Sequence, residues 1–313
     1  MRRLLGMVSA MVLAMLVFGT SPGQAGGGPL EQVPLETPEA FGDQMIFYYD
    51  ARADFTTFIT IRNASNDELT ISVLFYGPTF STPFSKAVTL AGGALTIIDV
   101  GSLRGAGLPA QPGVAIATPV NLAGQAIATQ ALTGNFTVAN LLTNTAFGAH
   151  GAARSAFKPD LDRPTLGTVI GPNTAIFQTI RPSTALLAAY YDPSSLAPVT
   201  SSGNQLIFIN FQDTYEPTYG ATIGSTTWDV EATRANGAGI SDGPFTTNGV
   251  TVSDLASVAG PGVNGAAGSI FFVAQNNSPG PNRLVYFAES LGTFGTGYLL
   301  PPTGLIPLRN PNN

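Results

Sequence analysis

Apolar and polar positions alternate with a period of two along several short segments of this chain. The clearest case is LTISVLFY at 69–76, in which Leu69, Ile71, Val73 and Phe75 occupy every second position. A period of two places successive side chains on opposite faces of a β-strand. The runs QMIFYYD and FTTFITIRN are also rich in β-branched and aromatic residues, and the sequence after residue 25 has no long helical period. The pattern predicts an all-β fold.

Several stretches of the first half of the chain return in the second half, in the same order. ALTIIDVGSLRG and GVTVSDLASVAG align Asp99 with Asp254 at an offset of 155, and Gly113 meets Gly268 at the same offset. TISV and TWDV lie 157 positions apart, IFYYD and AAYYD 142 apart, and TGNFTVANLL and LGTFGTGYLL 158 apart. A recurring series of landmarks is typical of a repeated unit. The sequence therefore predicts an internal duplication.

Each predicted copy has the size and strand density of a known β-architecture. About seven candidate strands in roughly 100 residues are typical of an immunoglobulin-like sandwich. We therefore expect two tandem immunoglobulin-like β-sandwich domains, with one jelly roll built across both halves as the alternative. The predicted divisions are a signal peptide (1–25), a flexible leader (26–40), sandwich domain 1 (41–146), a linker (147–175), sandwich domain 2 (176–301) and a C-terminal tail (302–313).

The order of three strand segments points to the same architecture by resemblance. FITIRN, TISVLFYG and VTLAGGALTIIDVGSL, in that order, resemble the tandem immunoglobulin-like modules of bacterial secreted and cell-surface proteins. The second copy keeps only NGVTVSDLASV and the later strands of that pattern. The resemblance implies a fold and a surface location, and it carries no functional residue over to this chain.

The amino terminus has the three parts of a secretory signal peptide. Arg2 and Arg3 precede an uncharged apolar run at 4–18, and the small residues Gly23 and Ala25 form a cleavage site. The run is shorter than the roughly 20 apolar residues that cross a bilayer as a helix. We expect cleavage after Ala25 and a secreted protein, periplasmic, cell-surface or extracellular, that is not a transmembrane protein.

The composition narrows the range of partners. The chain has no cysteine, and its 19 acidic and 13 basic residues give a net charge of −6. Charged residues make up only 10% of the chain, and the only lysines are Lys86 and Lys158. Nucleic acids require clustered cations, so they are not expected as partners. Envelope proteins or polysaccharide are the expected partners, together with self-association through uncharged sheet edges.

The sequence contains no recognisable catalytic constellation. His150 is the only histidine, and there is no Gly-x-Ser-x-Gly motif. A serine triad and a zinc site are therefore not expected, and we predict a non-enzyme with no catalytic, cofactor or metal residues. A carboxylate-dependent hydrolase is the remaining enzymatic alternative, because a glycosidase needs only two acids. Asp50, Asp229 and Glu231 are among the acids that spacing alone does not pair.

Two kinds of residue are nevertheless candidates for a defined role. Asp99 and Asp254 each end a strand three residues before a serine, which predicts that they cap the following helical turn. Exposed aromatic rings stack on sugars, although aromatic residues more often pack the core. The leading hypothesis is a structural or adhesive envelope protein, and the alternative is a carbohydrate-binding protein. The candidate stacking residues are Trp228, Tyr48, Tyr49, Tyr190 and Tyr191, with Tyr215 and Tyr219 as further members.

Overall fold

Strands dominate the part of the chain that the structure describes. The computed structural model describes residues 41–158, 160, 162–180, 184–190, 205–215, 217–234, 239–260, 268–275, 281–291 and 294–299. The predicted signal peptide, leader and C-terminal tail lie outside these residues. The all-β prediction is confirmed.

The described strands fall into a first half, an intervening segment and a second half. The first half contains β1 (Gln44–Asp50), β2 (Phe55–Asn63), β3 (Leu69–Tyr76), β4 (Phe84–Leu90), β5 (Leu95–Asp99), β6 (Pro112–Val120), β7 (Leu132–Asn140) and β8 (Thr145–His150). The intervening segment contains β9 (Ala152–Arg154), β10 (Ala156–Phe157) and β11 (Ile176–Phe177). The second half contains β12 (Thr184–Tyr190), β13 (Gln205–Thr214), β14 (Gly220–Ile223), β15 (Ser225–Arg234), β16 (Gly239–Asn248), β17 (Val250–Asp254), β18 (Gly268–Ala274), β19 (Asn282–Leu291) and β20 (Phe294–Leu299).

The period of two in the sequence appears as alternating burial along the strands. The buried residues of β3 include Leu69, Ile71, Val73 and Phe75. The single residues between them are half-buried. Strand β2 follows the same alternation up to its last residue, Asn63. Alternate side chains of a strand point to opposite faces, so one face of each strand packs on a core.

The strands form three large sheets and one two-stranded sheet. A five-stranded sheet has the order β4-β3-β6-β1-β9, and a four-stranded sheet has the order β12-β18-β15-β16. The largest sheet has nine strands, with the order β14-β13-β19-β20-β8-β7-β2-β5 and with β17 also paired to β13. Strands β8 and β20 meet as a parallel pair, with Ala146 opposite Phe294. Both halves of the chain therefore contribute to one continuous sheet.

Two hydrophobic cores lie on opposite faces of the nine-stranded sheet. In β13, Leu206 and Phe208 pack with Trp228 of the four-stranded sheet. Their neighbours Ile207 and Ile209 belong to the other core, which the five-stranded sheet also lines. Because adjacent residues of a strand face opposite ways, this central strand is buried on both sides.

The four-stranded sheet repeats the strand order of the five-stranded one. We match the strands in chain order: β1 with β12, β3 with β15, β4 with β16, and β6 with β18. With these matches, the two sheets have the same order of neighbouring strands. The registers also agree, since Val73 lies opposite Ala117 and Val230 lies opposite Phe272. Val73 and Val230 are 157 positions apart, and Ala117 and Phe272 are 155 positions apart. These are the same offsets as those between the sequence landmarks.

The two capping aspartates occupy equivalent places in the fold. The helical turns α1 (Val100–Leu103) and α2 (Leu255–Ala259) begin directly after β5 and β17. Asp99 and Asp254 are their N-cap residues, and their carboxylates accept hydrogen bonds from the backbone N–H groups of Ser102 and Ser257. Each bond satisfies an N–H group that has no partner within the helix. No helix within the described residues is long and apolar enough to cross a membrane.

The segment expected to be a linker is folded into the sheets. Strand β8 occupies part of it, and β9 extends the five-stranded sheet by pairing with β1. Ala152, Ala153 and Arg154 are all buried. His150, within the predicted linker, ends β8, and its side chain is exposed. The small residues that suggested flexibility instead allow close packing, as at Gly151, beside the Phe47 ring.

Candidate functional site

Three of the aromatic residues singled out as stacking candidates, Tyr48, Tyr49 and Trp228, are core residues. Tyr48 is 2% exposed, and Tyr49 and Trp228 are fully buried. The Trp228 indole donates a hydrogen bond to Thr247 Oγ1 at 3.1 Å and packs against Phe208. The stacking prediction is therefore wrong for these three residues. Both faces of β1 are buried, whereas Trp228 lies on the buried face of β15, whose other face is exposed at Asp229 and Glu231.

The remaining stacking candidates have different positions. The side chain of Tyr190 and the whole of Tyr191 lie outside the described residues. Tyr219 is buried, whereas Tyr215 is half-buried and lines a surface cleft.

This cleft lies between the intervening segment and the β13–β14 connection. Its volume is about 310 Å³, and twelve residues line it. One wall is the tight turn at 171–175, in which Gly171 N and Ala175 O form a 2.7 Å hydrogen bond. The polar and aromatic side chains in the lining are Gln125, Asn173, Thr174, Tyr215, Thr218 and Tyr219. All twelve of these described residues are uncharged.

The two tyrosines of the cleft are fixed by hydrogen bonds to the protein interior. The Tyr215 hydroxyl accepts a bond from Phe177 N at 3.0 Å. The Tyr219 hydroxyl donates to Asp213 Oδ1 at 3.0 Å and accepts from Arg154 Nη2 at 2.8 Å. Both rings also pack against Phe177. The cleft therefore has a floor whose rings are held in place before any ligand arrives.

Beneath this floor lies a buried ion pair that joins the intervening segment to the second half. The Arg154 side chain is fully buried and binds Asp213 through two bonds, Nη2 to Oδ1 at 2.5 Å and Nη1 to Oδ2 at 2.9 Å. Its Nε donates to Gln44 Oε1 at 2.6 Å, and Nη1 also donates to Asn282 Oδ1 at 3.2 Å. The guanidinium lies 4.8 Å from the centre of the Phe177 ring. We call Arg154, Asp213, Gln44, Asn282 and Tyr219 the arginine cluster.

The surroundings of Arg154 keep its guanidinium charged. Burial alone would lower the pKa of Arg154, but the Asp213 carboxylate and the Tyr219 hydroxyl hold that pKa above its ordinary value. Burial raises the pKa of the Tyr219 hydroxyl, an effect that Arg154 opposes and Asp213 strengthens. A buried charge is tolerated only when it is paired and hydrogen-bonded, a condition that this bidentate geometry meets. The cluster is chemically satisfied and is suited to holding structure.

The described carboxylates do not converge on a metal centre. No group of three or more acidic, histidine or cysteine side chains suited to a metal occurs within the described part of the chain. Asp43 is buried and accepts bonds from the backbone N–H groups of Thr129, Gln130 and Ala156. Asp50 is buried and pairs with Arg52. These buried acids serve the backbone and a neighbouring cation.

Comparison with known proteins adds no assignment. No protein-family model matches the chain, and no curated protein or solved structure matches it.

The arginine cluster and most of the cleft were not predicted from the sequence. Arg154 carried a usable signal, because it is a lone cation within the small-residue stretch GAHGAARSAF. Arginine is almost never fully buried without a partner, so an arginine in such surroundings indicates a buried ion pair. The partner Asp213 lies 59 positions away. For Asn173 and Thr218 the sequence offers no comparable signal.

Proposed function

We propose that this protein is an exported, non-enzymatic structural or adhesive component of the bacterial cell envelope or surface. The observation that carries the proposal is the nine-stranded sheet, which spans both halves of the chain. The two halves meet in this sheet at the parallel pair of β8 and β20, and the arginine cluster ties the intervening segment to that sheet. A rigid body of this kind suits a protein whose role is to hold or connect.

The same proposal includes the origin of the fold. An internal duplication of an immunoglobulin-like sandwich is supported by the matching strand orders and by the two capped turns at Asp99 and Asp254. Secretion through a cleaved signal peptide at 1–25 is part of the proposal and rests on the sequence alone.

Strand β5 is the surface that we assign to adhesive contacts, by addition of a strand from another chain. It is the last strand of the nine-stranded sheet, and Leu95 and Ile97 on it are 48% and 42% exposed. Lys86 in β4 and Pro244 in β16 discourage pairing at those two edges, and β14, at the other end of the nine-stranded sheet, has only four residues. An edge that lacks such residues is a template for strand addition.

The test is the location and native size of the mature protein in producing cells. Cells are fractionated, and the fraction that contains the protein is analysed by sedimentation. We expect the wild type to sediment with the envelope or in large assemblies. The Ile97→Lys variant, which places a charge on the β5 edge, should shift to the soluble fraction.

The matched control is Leu142→Lys, which places the same charge at a residue 75% exposed in the β7–β8 turn. Its distribution should equal that of the wild type. A wild-type protein found as a free monomer in the medium or periplasm would overturn the structural proposal. An unchanged distribution for Ile97→Lys would remove β5 as the adhesive surface.

A further inference from the structure

We propose that the cleft floored by Tyr215 and Tyr219 binds a short, neutral saccharide. The inference rests on the proposed function for its setting outside the cell, and it deepens that function by giving an adhesive protein a ligand. The site keeps Tyr215 and Tyr219 of the stacking candidates that the sequence suggested, whereas Trp228, Tyr48 and Tyr49 are buried elsewhere.

The lining of the cleft selects an uncharged ligand. None of the lining side chains that the structure describes is charged. Arg154 lies beneath the floor, but Asp213, Gln44, Asn282 and Tyr219 already occupy its donors. An anion such as a phosphate or a carboxylated sugar would find no cation among the described lining residues, and charge-assisted bonds are the usual means of binding such groups.

The rim offers hydrogen-bonding groups that suit hydroxyls. Gln125, Asn173 and Thr218 present amide and hydroxyl groups at the cleft. Amide and hydroxyl groups both donate and accept, which matches a ligand whose hydroxyls also do both. Thr174 Oγ1 donates to Val169 O at 2.6 Å, so its remaining capacity toward a ligand is as an acceptor.

The floor supplies the apolar part of the site. The Tyr215 ring is stacked on Phe177 at an interplanar angle of 24°, and the Tyr219 ring meets Tyr215 at 68°. Their hydroxyls are engaged inside the protein, so the rings cannot turn away without losing those bonds. A preformed aromatic surface lowers the entropic cost of binding and suits the C–H faces of a sugar ring.

The size of the cleft limits the length of the ligand. Its volume of about 310 Å³ is at the lower end of ligand sites, which span roughly 300–1,000 Å³. A few sugar units fill such a space, so the geometry points to the end or a short branch of a glycan.

The test is titration calorimetry of the purified mature protein with a panel of neutral oligosaccharides, cellotriose, maltotriose and chitotriose. The same panel includes one anionic sugar, trigalacturonic acid. We expect binding of at least one neutral sugar and no binding of the anionic one. Thr218→Trp, which fills the cleft from an exposed position, and Asn173→Ala should each weaken binding at least about tenfold. Circular dichroism should give unchanged melting temperatures for both variants.

Two further comparisons separate binding from folding. Tyr215→Phe keeps the ring and should keep binding, whereas Tyr215→Leu removes the ring and should lose it. Leu142→Ala, an exposed substitution outside the cleft lining, should bind as the wild type does.

Failure of all neutral sugars to bind the folded protein would overturn the inference, as would binding that Thr218→Trp leaves intact. Preference for the anionic sugar would also overturn it. Because the envelope fractionation does not depend on these titrations, the proposed function and this inference fail separately.

Discussion

Arg154 shows how strongly a single buried charge constrains this fold. Its guanidinium makes a bidentate bond to Asp213 and is fully enclosed. Removing one partner of a buried ion pair leaves the other charge without compensation, which costs about 3–5 kcal/mol. Arg154→Ala should lower the free energy of unfolding by that amount in urea titration. Arg62→Ala, which removes an exposed arginine from β2, should change it by less than about 0.5 kcal/mol. Equal stability of both variants would mean that the ion pair contributes nothing.

The buried tyrosines predict how stability depends on pH. Burial raises the pKa of six tyrosines above the usual value of about 10. Above that pH, the unfolded chain loses tyrosine protons that the native state keeps, so stability falls as the pH rises. The slope reaches about 1.4 kcal/mol per pH unit for each tyrosine. Below about pH 10 both states keep these protons, and the contribution is constant. The six are Tyr48, Tyr49, Tyr76, Tyr215, Tyr219 and Tyr286.

Ultraviolet absorbance of tyrosinate measures this directly. Between about pH 10 and 11 the native protein should ionise only the minority of its nine tyrosines, while the protein in concentrated urea ionises most of them. Identical titration curves for the two states would contradict the burial of these residues.

Among the elements, the turn between β16 and β17 forms a contact between the halves that a glycine makes possible. Gly249 has a φ of +56°, and a Cβ built there would overlap Pro78 O of the β3–β4 connection. The next residue, Val250, donates its N–H to that same oxygen at 3.0 Å. Gly249→Ala should therefore destabilise the protein by more than the roughly 1–2 kcal/mol of a left-handed alanine alone.

Gly93 is the matched control for this substitution. Its φ is +75°, but a Cβ there would meet no atom within 4 Å. Gly93→Ala therefore measures the backbone cost without the overlap. Chemical denaturation of both variants compares the two costs directly. Equal losses of stability would show that the approach of Pro78 to Gly249 is unimportant.

The strands could be predicted from the sequence far better than their partners. Alternation in LTISVLFY and the echo of Asp99 in Asp254 depend on local chemistry, and the structure places both as the pattern indicates. The sequence similarity at an offset of 158 positions indicated the wrong equivalent strand, because it aligns β7 with β20. In the sheet, β7 lies beside β2 as β19 lies beside β13, so β19 is the topological match. The sequences of β7 and β20 are similar because both contain glycine and phenylalanine. Only the neighbouring strands in the sheet distinguish the two positions.

The candidate site was harder to predict because its parts are distant in sequence. Tyr215 was named as an aromatic candidate, but its exposure depends on the turn at 171–175, which forms the facing wall. The burial of Trp228 likewise follows from strands β13 and β18, which pack against it from distant parts of the chain. Burial is a property of the assembled sheets, and a single strand sequence does not contain it.

At the scale of the whole molecule, the shared sheet should make both halves unfold together. We call the core lined by the five-stranded sheet the first core and the core around Trp228 the second core. One face of β13 is buried in the first core, so loss of that core exposes Ile207 and Ile209. Trp228, the only tryptophan, lies in the second core and reports on it alone. Ile71→Ala, a cavity in the first core, should cost about 2–5 kcal/mol. It should shift the Trp228 fluorescence transition and the circular dichroism transition to the same lower urea concentration.

Independent domains would behave differently. In that case Ile71→Ala would leave the Trp228 transition in place and split the circular dichroism curve into two steps. Leu142→Ala, at an exposed turn, should move neither transition. Coincident shifts follow only if the free energy of the first core is coupled to the second through the strands between them, because the tryptophan has no contact with Ile71 within either core. The nine-stranded sheet supplies that coupling, since each face of β13 is covered by a different half of the chain.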